Sequence, residues 1–132
     1  MKKLLFLILI VILLAVNINA IGISPGIRII DFEPKLKTTG TFTIHNLEHK
    51  DMRVYLQVDG EHADIIKIKE EYIDFTSDQE SKTIEYKVKI PEYLEPGEHT
   101  IKIIAIEQEQ GSAEGTFVGA IPAVMTQIKI SV

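Results

Sequence analysis

From residue 21 onward, apolar and polar side chains alternate with a period of two, and no window sustains the 3.6-residue rhythm of an amphipathic helix. The clearest stretch is Met52, Val54, Leu56 and Val58, interleaved with Arg53, Tyr55 and Gln57. Successive side chains of an extended chain point to opposite faces, so this pattern predicts a strand with one face in a core and one toward water. Ile84, Tyr86, Val88 and Ile90 repeat the pattern against Glu85, Lys87 and Lys89, and Pro91 ends the run because it has no ladder donor. In Thr100 to Glu107 the set Ile101, Ile103 and Ala105 stands against Lys102, Ile104 and Ile106.

Turn chemistry separates the remaining runs. Pro25-Gly26 divides Ile21 to Ser24 from Ile27 to Phe32, and a strand over Thr41 to His45 follows Gly40. Asn46 to Asp51 reads as a hairpin connection, and Asp59-Gly60 and Glu95-Pro96-Gly97 read as turns. Short strands are predicted at Ile65 to Ile68 and Tyr72 to Phe75, joined by the charged Lys69, Glu70 and Glu71. Gln108 to Gly115 reads as a loop, Thr116 to Ile121 as a strand, and Val124 to Val132 as a last strand split off by Pro122. Seven to nine short strands with turns every 8 to 12 residues or so predict an all-β, immunoglobulin-like antiparallel β-sandwich.

A different segment precedes this pattern. Met1-Lys2-Lys3 is positively charged, Leu4 to Val16 is unbroken and apolar, and Asn17 to Ala20 is a polar stretch ending in a small residue. That is the layout of a secretory signal peptide over residues 1–20, with the sandwich domain over 21–132. Ala20 suits the position before a cut, but Ile18 is bulkier than the usual residue there, so cleavage and retention as a signal anchor both stay open. On either reading Lys2 and Lys3 remain cytoplasmic and the rest is exported, so the expected location is secreted or the outer side of the cell envelope. Membrane contact is then expected only through residues 4–16, if the leader is retained.

Composition narrows the function classes. Removing Lys2 and Lys3 from the 14 basic residues while all 19 acidic ones stay moves the formal charge from −5 to −7. An acidic exported domain lacks the clustered cations that displace phosphate counterions, so no nucleic-acid partner is expected. The absence of cysteine removes disulfides and thiolate metal sites, and the apolar core must supply the stability.

Several short strings resemble a known family. Ile23-Ser24-Pro25, Phe32-Glu33-Pro34 and Gly40-Thr41-Phe42-Thr43-Ile44 with Asn46 resemble the opening of PapD-like immunoglobulin-type domains, in which a split first strand leads into a Thr-apolar-Thr-apolar-x-Asn strand. Leu94 to Thr100 looks like the Pro-Gly-x-Tyr corner of exported sandwich domains, with His99 in the aromatic position. The resemblance covers about residues 21 to 132 and implies a secreted or membrane-associated prokaryotic envelope domain. In pilus chaperones of that kind a basic pair grips a subunit's terminal carboxylate, and the resemblance implies that role for Arg28, without a match for the second basic residue or the second domain.

Catalytic constellations do not assemble. His45-Asn46-Leu47-Glu48-His49 fits the inverted zinc-protease string H-x-x-E-H, but that chemistry needs both histidines on one helical face, and here the string straddles a strand end and a turn. His62 and His99 read as loop and corner residues, His99 as a candidate to hydrogen-bond across its loop. Asp59, Glu61, Asp64, Glu70, Glu71, Asp74 and Asp78 do not follow a calcium-loop spacing. No enzyme activity and no cofactor is expected. The expected function is a structural or protein-binding module contacting another envelope or surface protein. A chaperone-like domain pairing through an edge strand is the alternative, and a zinc hydrolase is the third. Candidate partner contacts are Arg28, Gln110, Ser112, Glu114, Phe117 and Val118, the last five lying in and after the Gln108 to Gly115 loop. Oligomeric state is not legible.

Overall fold

The computed structural model describes residues 1–14, 21–109 and 121–132. Helix α1 spans Lys2–Leu14, and nine strands follow: β1 Gly22–Ser24, β2 Ile27–Asp31, β3 Lys37–His45, β4 Met52–Asp59, β5 Ile66–Ile68, β6 Tyr72–Phe75, β7 Ser81–Lys89, β8 Glu98–Glu109 and β9 Ala123–Ser131. Among the described residues no helix is long and apolar enough to cross a membrane.

The strands form two sheets with orders β1-β3-β7-β5 and β2-β9-β8-β4-β6, as expected for an immunoglobulin-like sandwich. Alternation packs them. Phe42 and Ile44 from β3 with Ile84, Tyr86 and Val88 from β7 face Met52 and Val54 from β4, Ile101, Ile103 and Ala105 from β8, and Ile128 and Ile130 from β9. All are buried, and removing a side chain such as isoleucine from water contributes about 2 kcal/mol.

The first strand changes sheet at Pro25-Gly26. β1 pairs antiparallel with β3, whereas β2 pairs parallel with β9, so the expectation of purely antiparallel sheets is corrected at this edge. A chain that crosses between sheets without reversing meets its new neighbour in the same direction. The crossing is stitched to β9 by the buried Thr126, whose Oγ1 donates to Pro25 O at 2.7 Å, and by Gln127 N–H to Gly26 O at 2.9 Å.

Asn46 to Asp51 is not a hairpin. β3 and β4 lie in different sheets, so the segment arches over the end of the sandwich. Buried Asn46 secures the arch: Nδ2 lies near the carbonyls of Lys50, Gln79 and Thr76 at 3.0, 3.1 and 3.4 Å, and Oδ1 accepts from Lys50 N–H at 3.3 Å. One side chain thereby ties the β3–β4 arch to the β6–β7 turn. Three boundaries also shift. β3 begins at Lys37 rather than Thr41 because β7 pairs with its whole length, β8 extends through Gln108 and Glu109, and β9 runs unsplit from Ala123. The strand expected at Thr116 to Ile121 falls almost entirely outside the described residues.

Candidate partner-binding faces

The outer surfaces of the two sheets differ in chemistry. On the five-stranded sheet, register aligns Tyr72, Tyr55, Ile106 and Ala123 in one row across β6, β4, β8 and β9, with Gln57, Ile104 and Met125 in the next. Ile27 and Ile29 of β2 are exposed at the edge of this face, beside Gln127 and Lys129 of β9, Ile29 being 69% exposed and Met125 45%. Ile121 is also exposed, just before β9. Inward positions of these strands already fill the core, so this second apolar set is left facing water. An exposed apolar surface of this extent marks a contact site more often than an idle surface.

One rim of that face is fixed by charge. Arg53 donates from Nε to Asp74 Oδ1 at 2.7 Å and from Nη2 to Asp74 Oδ2 at 3.1 Å, and its guanidinium lies 4.1 Å from the centre of the Tyr72 ring. Tyr55 and Tyr72 have ring centres 6.1 Å apart. The hydrogen bonds to Arg53 hold the Asp74 carboxyl below its ordinary range and, reciprocally, hold the guanidinium above its own. Stacking and the bidentate pair keep both aromatic rings in place while leaving them partly exposed.

On the four-stranded sheet the outer side chains are Thr39, Thr41 and Thr43 of β3, Ser81, Thr83 and Glu85 of β7, and a group of lysines. Thr43 and Thr83 share a hydroxyl hydrogen bond of 2.9 Å.

Arg28 is half-buried on β2. Its Nη1 donates to Thr39 O at 3.1 Å and to Tyr86 Oη at 3.2 Å, reaching from one sheet to the other. β1 pairs with β3 only from Thr43 to His45, so Arg28 serves a carbonyl on the stretch of β3 that β1 does not reach. Gln110, Ser112, Glu114, Phe117 and Val118 lie outside the described residues. The structure therefore places one of the six candidate contacts, and it places Arg28 at a sheet-to-sheet bridge.

The H-x-x-E-H string runs from the end of β3 into a turn: His45 shares a 2.8 Å hydrogen bond with Ser24 Oγ, and His49 has a left-handed backbone with φ of 49°. Among the described residues no three side chains of metal-binding type come together. His99 Nε2 donates to Glu95 O at 2.7 Å across its loop, as its corner position predicts, and its ring packs edge-on against His62 with centres 4.9 Å apart. The apolar face was signalled in the sequence by Ile104 and Ile106, which break the polar side of β8. Its continuation onto β4, β6 and β9 required the register.

The sandwich, with its first strand shared between sheets, has the PapD-like immunoglobulin-type architecture. No family model and no curated protein matches the chain. Solved structures do. A PapD-like domain of human CEP192 superposes with a TM-score of 0.62 at 10% identity over 86% of this chain and 85% of that one. A structure of Salmonella enterica SafA pilin in complex with the SafB chaperone matches at 0.61 and 9% identity over 89% of this chain and 56% of the matched one. SSP-19 of Caenorhabditis elegans, an MSP-domain-like protein, matches at 0.57 and 10% over 83% of this chain and 98% of that one. The chain thus spans about half the length of the chain it matches in that complex. At these identities the similarity is one of fold.

Proposed function

We propose that this chain is an exported, non-catalytic immunoglobulin-like module that binds another protein of the cell envelope through the outer face of its five-stranded sheet. The observation that carries the reading is the apolar surface formed by Tyr55, Tyr72, Ile104, Ile106 and Met125 on a sheet whose opposite side already lines the core. Aromatic rings braced by an arginine and surrounded by aliphatic side chains are the usual composition of a binding surface. Export rests on the leader over residues 1–20. The divided H-x-x-E-H string supports a non-catalytic role.

Photo-crosslinking in cells provides the test. A crosslinking amino acid at Tyr55 or Met125 should capture one defined envelope protein, and the same group at Thr41 on the opposite sheet should not. Absence of any product from both positions, or equal capture from Thr41, defeats the reading. Fractionation with N-terminal sequencing tests export, and an unprocessed chain confined to the cytosol would contradict it.

A second reading, a chaperone-like domain that pairs with a partner strand, draws on the Arg28 bridge beside the open stretch of β3. It requires that Arg28→Ala weaken strand capture beyond any loss of stability. Equal capture counts against it.

A further inference from the structure

The four-stranded sheet concentrates positive charge on an acidic protein. Lys37 of β3 lies directly across from Lys89 of β7, and Lys67 of β5 directly across from Lys87. Lys87 and Lys89 are two residues apart on one strand and so share its outer face, as the exposure of all four confirms. Directly opposed like charges sit about 5 Å apart at Cβ and destabilise a sheet. Some cations on other surfaces are ion-paired, Lys35 with Glu92, Lys129 with Glu98, Arg53 with Asp74, and Lys50 with Glu48 and Glu107, whereas among the described residues Lys69, Lys82 and Lys102, like Lys37, Lys67, Lys87 and Lys89, are not. Lys37, Lys67, Lys87 and Lys89 also line a single hollow of about 300 Å³, with Thr39 and Asp64 beside them. Two pairs of facing lysines around one concavity give it a local positive field, with Asp64 in the lining and Glu85 next along the outer face of β7.

We propose that this face binds an extended acidic peptide segment of the partner protein. The inference rests on the protein-binding reading above and adds a second contact, on the sheet opposite the apolar face. The charges form a grid with about 7 Å between alternate residues along β7 and about 5 Å across to β3 and β5. An extended peptide repeats its own same-side residues at the same pitch of about 7 Å, so carboxylates at every second position meet Lys87 and Lys89 in step while Lys37 and Lys67 flank them. Lysine suits this task because its ammonium is a rotatable point charge, matched to single carboxylates rather than to a rigid bidentate fork. The formal charge of −5 opposes a long dense polyanion over the rest of the surface, whereas a short acidic stretch meets only the local positive field. Thr39, opposite Lys87, offers a hydroxyl to the incoming backbone or carboxylate.

The test uses the full chain and a fluorescent peptide in which Glu alternates with Thr, followed by anisotropy at low and physiological salt. Binding is expected, weaker as salt rises. A Lys87→Glu, Lys89→Glu double variant should lose about tenfold or more in affinity, and the neutral pair Lys37→Gln, Lys67→Gln should lose less. A peptide of the same composition with its glutamates in one block should bind several-fold more weakly. Circular dichroism and melting show that the variants fold, and the neutral pair should melt slightly higher because repulsion is relieved. No binding, binding unchanged in both variants, equal binding of the blocked peptide, or tighter binding of a single-stranded oligonucleotide overturns the proposal. Crosslinking from Tyr55 together with a negative peptide result would leave the partner-binding reading standing and remove this inference alone.

Discussion

Arg28 and Tyr86 meet across the gap between the sheets, with the Arg28 Nη1 donating to the Tyr86 hydroxyl at 3.2 Å over the bare α-carbon of Gly40. A β-carbon on residue 40 would lie 2.0 Å from Arg28 Nη1 and 2.3 Å from Tyr86 Cζ. Glycine here is required by close approach, since its backbone is ordinary strand. Gly40→Ala should therefore destabilise the domain by about 1–3 kcal/mol in a denaturant titration. Adding Arg28→Ala to Gly40→Ala should reduce the cost. An alanine variant as stable as the parent would show that the bridge yields without penalty.

Asn46 is the second fixed point. Asn46→Ala strips hydrogen bonds from the carbonyls of Lys50 and Gln79 and from Lys50 N–H, and should cost about 2 kcal/mol by chemical denaturation. Asn46→Asp should be worse at neutral pH, because a carboxylate cannot donate to the carbonyls that surround it. Equal stability of the two variants would argue that the amide's donors do not matter.

Glu107 is buried with its carboxylate against Lys50 Nζ, and among the described residues neither of its oxygens has a hydrogen bond of good geometry, so the ion pair carries the compensation. Glu48 shares the same ammonium at 2.7 Å. Removing the cation is expected to be the costly change. Lys50→Met should lose about 3 kcal/mol by leaving a buried charge unpaired, whereas Glu107→Gln should lose less, and Lys50→Met with Glu107→Leu should recover much of the loss. Thermal melts of the three variants decide this, and a double variant no better than Lys50→Met contradicts it.

Acid stability follows from two depressed carboxyls. Hydrogen bonding from Arg53 lowers Asp74, and hydrogen bonding from the Thr76 hydroxyl lowers Asp78. Because their folded values lie below the unfolded value of about 3.9, both contribute stability that is present above that pH and is lost as pH falls through the folded values. Both groups are exposed, so the effect is small and screened by salt. The melting temperature should decline below about pH 4, and less steeply in Arg53→Gln. Identical pH profiles for the variant and the parent would remove Asp74 from the account.

Much of the architecture was legible before any coordinates. Met52 to Val58 and Ile84 to Ile90 assign their own buried faces, since a period of two is a local property of an extended chain. Pro25-Gly26 and Pro91 mark breaks for equally local reasons, a fixed φ and a missing donor. His99 could be read as a corner residue from its place after Pro96-Gly97, and the structure gives it the Glu95 carbonyl.

Alternation tells a strand which side is inside, and the sequence by itself determined that much: strands, inward faces, most turns and an apolar N-terminal segment. It does not say which strand lies alongside. Only the tertiary structure decided that β3 and β4 belong to different sheets, that β2 runs parallel to β9, and that Tyr55, Ile106 and Met125 share a face while Lys37, Lys67, Lys87 and Lys89 share another. Those relations join residues up to about a hundred positions apart, as Thr126 and Pro25 show, and they are fixed by the simultaneous packing of two sheets rather than by any local preference of the chain.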